Sequence, residues 1–117
     1  MNKFWGLNMN RESKLIQIAN YYGKEPQLRQ TQEELAELIL AISKTVRNDL
    51  HFQENFIEEI ADVEIMLEQL KLFMTDSELN HLEFIKETKI VRQLERIERE
   101  KARKISQYEM EKFWEEK

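Results

Sequence analysis

Cysteine is absent from this 117-residue chain, and there are only two glycines and one proline. Without thiols there is no disulfide framework and no thiolate-bound metal. With so few turn-formers, the many tight connections of a β-sandwich or barrel have little to be built from. Long hydrophobic runs are missing too. No apolar stretch approaches the roughly 20 residues of a membrane span, and residues 1–9 lack the continuous apolar segment of a secretory signal. Cytoplasmic location is therefore the default expectation. The chain also lacks an excess of positive charge. At a formal net charge of −5 and a pI near 5.2, general affinity for a nucleic-acid polymer is not expected.

What is present is a mixture of charged (35%) and hydrophobic (41%) residues, the balance of amphipathic helices. The expected fold class is all-α, as one domain over 1–117 with its core at about 10–97 and a charged helical tail at about 98–117. Residues 1–9 read as an arm that docks Phe4 and Trp5. Asn10 caps a first helix to about Tyr22, with Leu15, Ile16, Ile18 and Ala19 as its apolar stripe. Gly23 ends it, and Pro26 opens a second helix over about 27–47. On that helix Leu28, Leu35, Leu38, Ile39, Ile42 and Val46 share one broad face. A break at 48–52 precedes a third helix over about 53–74, apolar nearly all the way round. A helix of that kind belongs in an interior, so a subunit interface is expected to cover its far side, in an obligate homo-oligomer. Asp76 or Ser77 caps a fourth helix, with Leu79, Leu82, Ile85, Val91, Leu94 and Ile97 inward and helical character continuing to about Trp114.

Acidic residues repeat at helical spacing on the second and third helices: Glu34 and Glu37, then Glu59 and Asp62. Residues three apart are neighbours on a helix surface. Antiparallel packing of the two helices brings the four carboxylates together, where they repel one another unless a cation lies among them. A solvated face is the plain alternative for Glu33, Glu34 and Glu37, and salt bridges to Lys44 or Arg47 are an alternative for the whole set. An all-oxygen donor set suits Mg²⁺ or Mn²⁺ rather than zinc. His51 and His81 do not stand three residues after a glutamate of either motif, which argues against a di-iron bundle. Lys89, Arg92 and Arg96 fall at i, i+3 and i+7 on the fourth helix with Gln93 beside them, a row able to bind phosphates or simply to be solvated.

The strings Glu33-Glu34-Leu35-Ala36-Glu37-Leu38 and Glu58-Glu59-Ile60-Ala61-Asp62-Val63, about twenty residues apart, resemble the paired acidic motif of MazG-like nucleoside triphosphate pyrophosphohydrolases. The similarity covers roughly 14–97. It implies a four-helix-bundle-like fold working as a homodimer or a dimer of dimers. It also implies Mg²⁺-dependent cleavage of a nucleoside triphosphate between its α- and β-phosphates, giving the monophosphate and pyrophosphate. By position, Glu34, Glu37, Glu59 and Asp62 correspond to metal ligands. Lys89 and Arg96 match the ends of the family's Lys-x-x-x-Asn-x-x-Arg pattern, with Gln93 where asparagine is usual. Glu33 or Glu58 is then placed to orient or deprotonate the attacking water, and Lys44 and Arg92 to assist with phosphate. The base is expected near the first helix or a partner subunit; Tyr21, Tyr22 and Phe52 are stacking candidates, more often core than ligand. The competing expectation is a non-catalytic helical interaction or regulatory protein whose acids are solvated.

Overall fold

The computed structural model describes residues 10–116, and the expected N-terminal arm lies outside them. The chain is all-helical over those residues: α1 (Arg11–Tyr22), α2 (Lys24–Arg47), α3 (Glu54–Lys71) and α4 (Asp76–Glu115). It divides into two compact units, one ending at Met74 and one beginning at Thr75.

Within the first unit, each helix end has a local cause. Asn10 caps α1, its side-chain oxygen accepting from the Ser13 N–H at 2.8 Å. Gly23, at φ +87°, ends α1 through its N–H to the Ala19 carbonyl and directly precedes α2. The second helix begins earlier than expected, at Lys24, with Pro26 as its third residue. Proline is tolerated there because the first four N–H groups of a helix have no internal acceptor. At the other end of α2, Asn48 is the cap, Asp49 (φ 57°) and Leu50 (φ 66°) are left-handed, and the Leu50 N–H donates to the Thr45 carbonyl at 3.0 Å. This is a Schellman-type ending with aspartate where glycine is favoured. Asp49→Gly should therefore stabilise the chain by about 1 kcal/mol, read as a higher urea midpoint; a lower midpoint would mean that this turn is not what ends the helix.

The face that α2 buries is not the apolar one. Its protected positions are Gln27, Thr31, Glu34, Leu38, Ala41 and Thr45, spaced alternately by four and three. The broad aliphatic face stays largely open: Leu35, Ile39, Ile42 and Val46 are all exposed, Ile39 by 63%. On α3 the matching seam is Phe56, Glu59, Val63, Met66, Leu70 and Phe73, with Gln69 beside it. Small and amide side chains let the two helices approach, and the threonine hydroxyls are satisfied locally, Thr31 to the Gln27 carbonyl (2.7 Å) and Thr45 to the Ala41 carbonyl (3.0 Å). The fully protected apolar side chains among the described residues are Ala19, Ala41, Val63 and Met66, a thin core for a unit of this size. Ile57, Ile65 and Leu67 of α3 are open as well. The aromatics expected in the core, Tyr21, Tyr22 and Phe52, are exposed, with Phe52 stacked on Phe56.

The second unit is built on α4, a single helix of 40 residues, about 60 Å long at 1.5 Å per residue. Its cap is Thr75 rather than Asp76 or Ser77. The Thr75 hydroxyl accepts from the Glu78 N–H and the Glu78 carboxylate from the Thr75 N–H, a capping box. Glu83–Lys86 and Glu98–Lys101 pairs support the surface. Leu79, Leu82 and Ile85 are half-buried, whereas Val91, Leu94 and Ile97, expected to point inward, are exposed.

Candidate metal centre

The register of α2 on α3 sets the site. Gln27 donates from Nε2 to Oε1 of Gln69, which puts those two residues at one level of an antiparallel pair. Seven residues on from Gln27 and seven back from Gln69, two turns in each case, Glu34 stands opposite Asp62. Three further along, Glu37 stands opposite Glu59. One carboxylate oxygen from each of Glu34, Glu59 and Asp62 lies within 4.8 Å of the other two.

Glu34 and Glu59 occupy seam positions, so they are half-buried, while Asp62 and Glu37 lie at the open edge. Glu34 Oε1 accepts from Gln30 Nε2 at 2.8 Å. Its Oε2, and the Oε2 of Glu59, are shielded from solvent and have no hydrogen-bond partner. None of the ion pairs among the described residues involves these acids, and neither Lys44 nor Arg47 joins one. The salt-bridge alternative is thus absent from this arrangement. Burial, then the charge of Glu37 and a hydrogen bond with it, then the charges of Asp62 and Glu34, raise the Glu59 pKa above the usual glutamate value.

That shift has a sign. A carboxyl with a raised folded pKa favours the folded state fully below its unfolded pKa and loses that contribution as pH rises through the folded value. In EDTA, the native chain should therefore gain stability relative to Glu59→Gln as pH falls from neutral into the carboxylate range. Paired urea titrations read this directly, and parallel pH profiles for the two proteins would show that Glu59 is not under strain.

The donor set fits a hard divalent cation. Oxygens on an octahedral Mg²⁺ are about 3.0 Å apart when adjacent and about 4.2 Å when opposite, so a set within 4.8 Å would have to draw closer by side-chain rotation to hold the ion. Glu37 stands outside the converging trio, although its charge bears on Glu59. Glu33 and Glu58 are exposed beside the ligand positions, and Lys44 is exposed on α2. Lys89, Arg92, Gln93 and Arg96 form an exposed row on α4, within the second unit, and make no ion pair among the described residues.

Three glutamines were missed by reading the acids alone. Gln30 stands one turn before Glu34 and holds it. Gln27 and Gln69 continue the two acidic rows at the same seven-residue step, and that periodicity was the available signal. Comparison of the chain with known protein families, with curated proteins and with solved structures finds no match.

Proposed function

We propose that the chain is a Mg²⁺-dependent nucleoside triphosphate pyrophosphohydrolase of MazG-like architecture, converting a triphosphate to the monophosphate and pyrophosphate. The observation that carries this reading is the convergence of Glu34, Glu59 and Asp62 with two shielded, unpartnered carboxylate oxygens. Oxygens so placed call for a cation, and the acidic pair on each helix is the part of the sequence that resembles the family. Glu34, Glu59 and Asp62, with Glu37 beside them, would hold Mg²⁺ or Mn²⁺, which when bound supplies charge neutralisation on phosphate and an acidified water. Glu33 and Glu58, exposed next to the ligands, are placed to orient that water or take its proton. Lys89 and Arg96, with Gln93, are assigned to phosphate on the resemblance, and Arg92 and Lys44 on their helical spacing beside those positions and the acids.

Assembly is part of the proposal. The open apolar face of α2 and the open side of α3 support a homodimer or a dimer of dimers, since the first unit by itself leaves them exposed. The same open faces, with the exposed apolar positions of α4, also favour a second reading, a helical interaction module without turnover. Incubation with a panel of standard and modified nucleoside triphosphates separates the two. Release of monophosphate and pyrophosphate, dependent on Mg²⁺ or Mn²⁺, is expected for the enzyme, and release of neither from any member of the panel leaves the interaction module.

A further inference from the structure

Beside the acids, two turns along the seam, lies a pocket of about 300 Å³ whose floor is polar and whose walls are apolar. Gln27 and Gln69 form the floor. They are 4% and 2% exposed, among the most protected polar side chains of the chain. Gln27 Nε2 donates to Gln69 Oε1, and this bond uses only half of each amide. The Gln27 oxygen and the Gln69 nitrogen bond to nothing else among the described residues, and neither is fully shielded from solvent. An amide carries one acceptor and one donor group, so the joined pair presents one of each. Both groups keep a contact with solvent, and a ligand edge that meets both at once replaces water there.

We infer that this pocket binds a nucleobase, with Gln27 and Gln69 hydrogen-bonding its edge. A base edge places a hydrogen-bond donor next to an acceptor on a flat ring. Turning both amides together exchanges which residue donates, and the pair still offers one donor and one acceptor. The walls suit the faces of such a ring: Ile18, Met66 and the Tyr22 side chain line the pocket, and Tyr22 is open enough to stack on an incoming ring. The pocket and the acidic cluster share a neighbour. Gln30 lines the pocket and also holds Glu34. From Gln27 to Glu34 is two turns, about 10 Å, the span of a sugar and its first phosphates. The assignment of this pocket to the base rests on the pyrophosphohydrolase reading, whereas its capacity to bind a base is measurable without that reaction.

The test is a titration of the full chain, in EDTA, with uridine, cytidine, adenosine and guanosine, and with ribose as the base-free control. Metal and phosphate are thereby left out. At least one nucleoside is expected to bind more than about tenfold tighter than ribose, two hydrogen bonds being worth about that. Gln27→Met with Gln69→Met keeps side-chain length while removing both polar groups, and should bring nucleoside binding down to the ribose level. Tyr22→Ala leaves the seam untouched and should also weaken the nucleosides selectively, so it decides the matter if the double variant does not fold. Equal binding of nucleosides and ribose by the native chain overturns the pocket, as does native-like nucleoside binding by Tyr22→Ala and the folded double variant. If nucleosides bind through these residues but no triphosphate is hydrolysed, the pocket stands and the enzymatic reading falls. If hydrolysis proceeds with KM unchanged in both variants, the enzyme stands and the pocket falls.

Discussion

Glu59→Gln and Asp62→Asn should each lower pyrophosphohydrolase turnover by roughly three orders of magnitude or more, the several kcal/mol that a catalytic metal supplies, while leaving the helical circular dichroism unchanged. The reason both halves of this expectation hold together lies in the seam. Glu59 Oε2 has no partner to lose, and its neighbours Glu37, Asp62 and Glu34 all disfavour its charge. Removing that charge relieves the folded state instead of orphaning a cation. A carboxylate kept for structure behaves in the opposite way, since breaking a protected ion pair leaves its partner uncompensated and destabilises the fold. Isothermal titration with Mn²⁺ alone gives the complementary reading: the native chain takes up the ion and the two variants bind it much more weakly. Full activity in both variants would remove the acids from the chemistry, and loss of fold would make them structural.

The second large effect concerns assembly. Ile39→Lys, on the open face of α2, should convert a dimer or larger species to monomer by light scattering, and should lower the thermal midpoint in a way that depends on protein concentration. Leu35, Ile39, Ile42 and Val46 are all exposed in the single chain. Covering a large aliphatic side chain is worth about 1.5–3 kcal/mol, so even partial cover of this face on two subunits is comparable with the stability of an ordinary domain. The thin inner core of the first unit makes that contribution a large share of the total. Linkage then requires the midpoint of the native protein to rise with concentration. A native chain that is monomeric at all concentrations, with a midpoint Ile39→Lys does not alter, would contradict this.

The α2–α3 pair shows where a hydrophobic pattern misleads. Leu28, Leu35, Leu38, Ile39, Ile42 and Val46 make a persuasive stripe, and in an isolated domain such a stripe turns inward. Here only Leu38 of that set is even half-buried, at a position shared with Gln27, Thr31, Glu34, Ala41 and Thr45. Burial alone does not reveal which neighbour a stripe was selected to meet. A helix with two usable faces, one polar and close-packing and one aliphatic, leaves that choice to its surroundings. The same ambiguity explains Val91, Leu94 and Ile97, whose spacing is that of a packed face although α4 leaves them exposed.

Local chemistry was decided by the residues themselves. The scarcity of glycine and proline, the Asn10 cap, the Gly23 stop and the break after Arg47 follow from backbone preferences that act over a few residues, and all are met in the structure. The acidic pairs were equally legible, because three-residue spacing on a helix needs no tertiary information to put two carboxylates side by side. Only the tertiary structure decided that α2 meets α3 along its polar seam, in the register where Gln27 faces Gln69. That register depends on how two whole surfaces fit, which no short stretch encodes. It brings Glu34, Glu59 and Asp62 together, leaves Glu37 at the edge, and opens an amide-floored pocket two turns away.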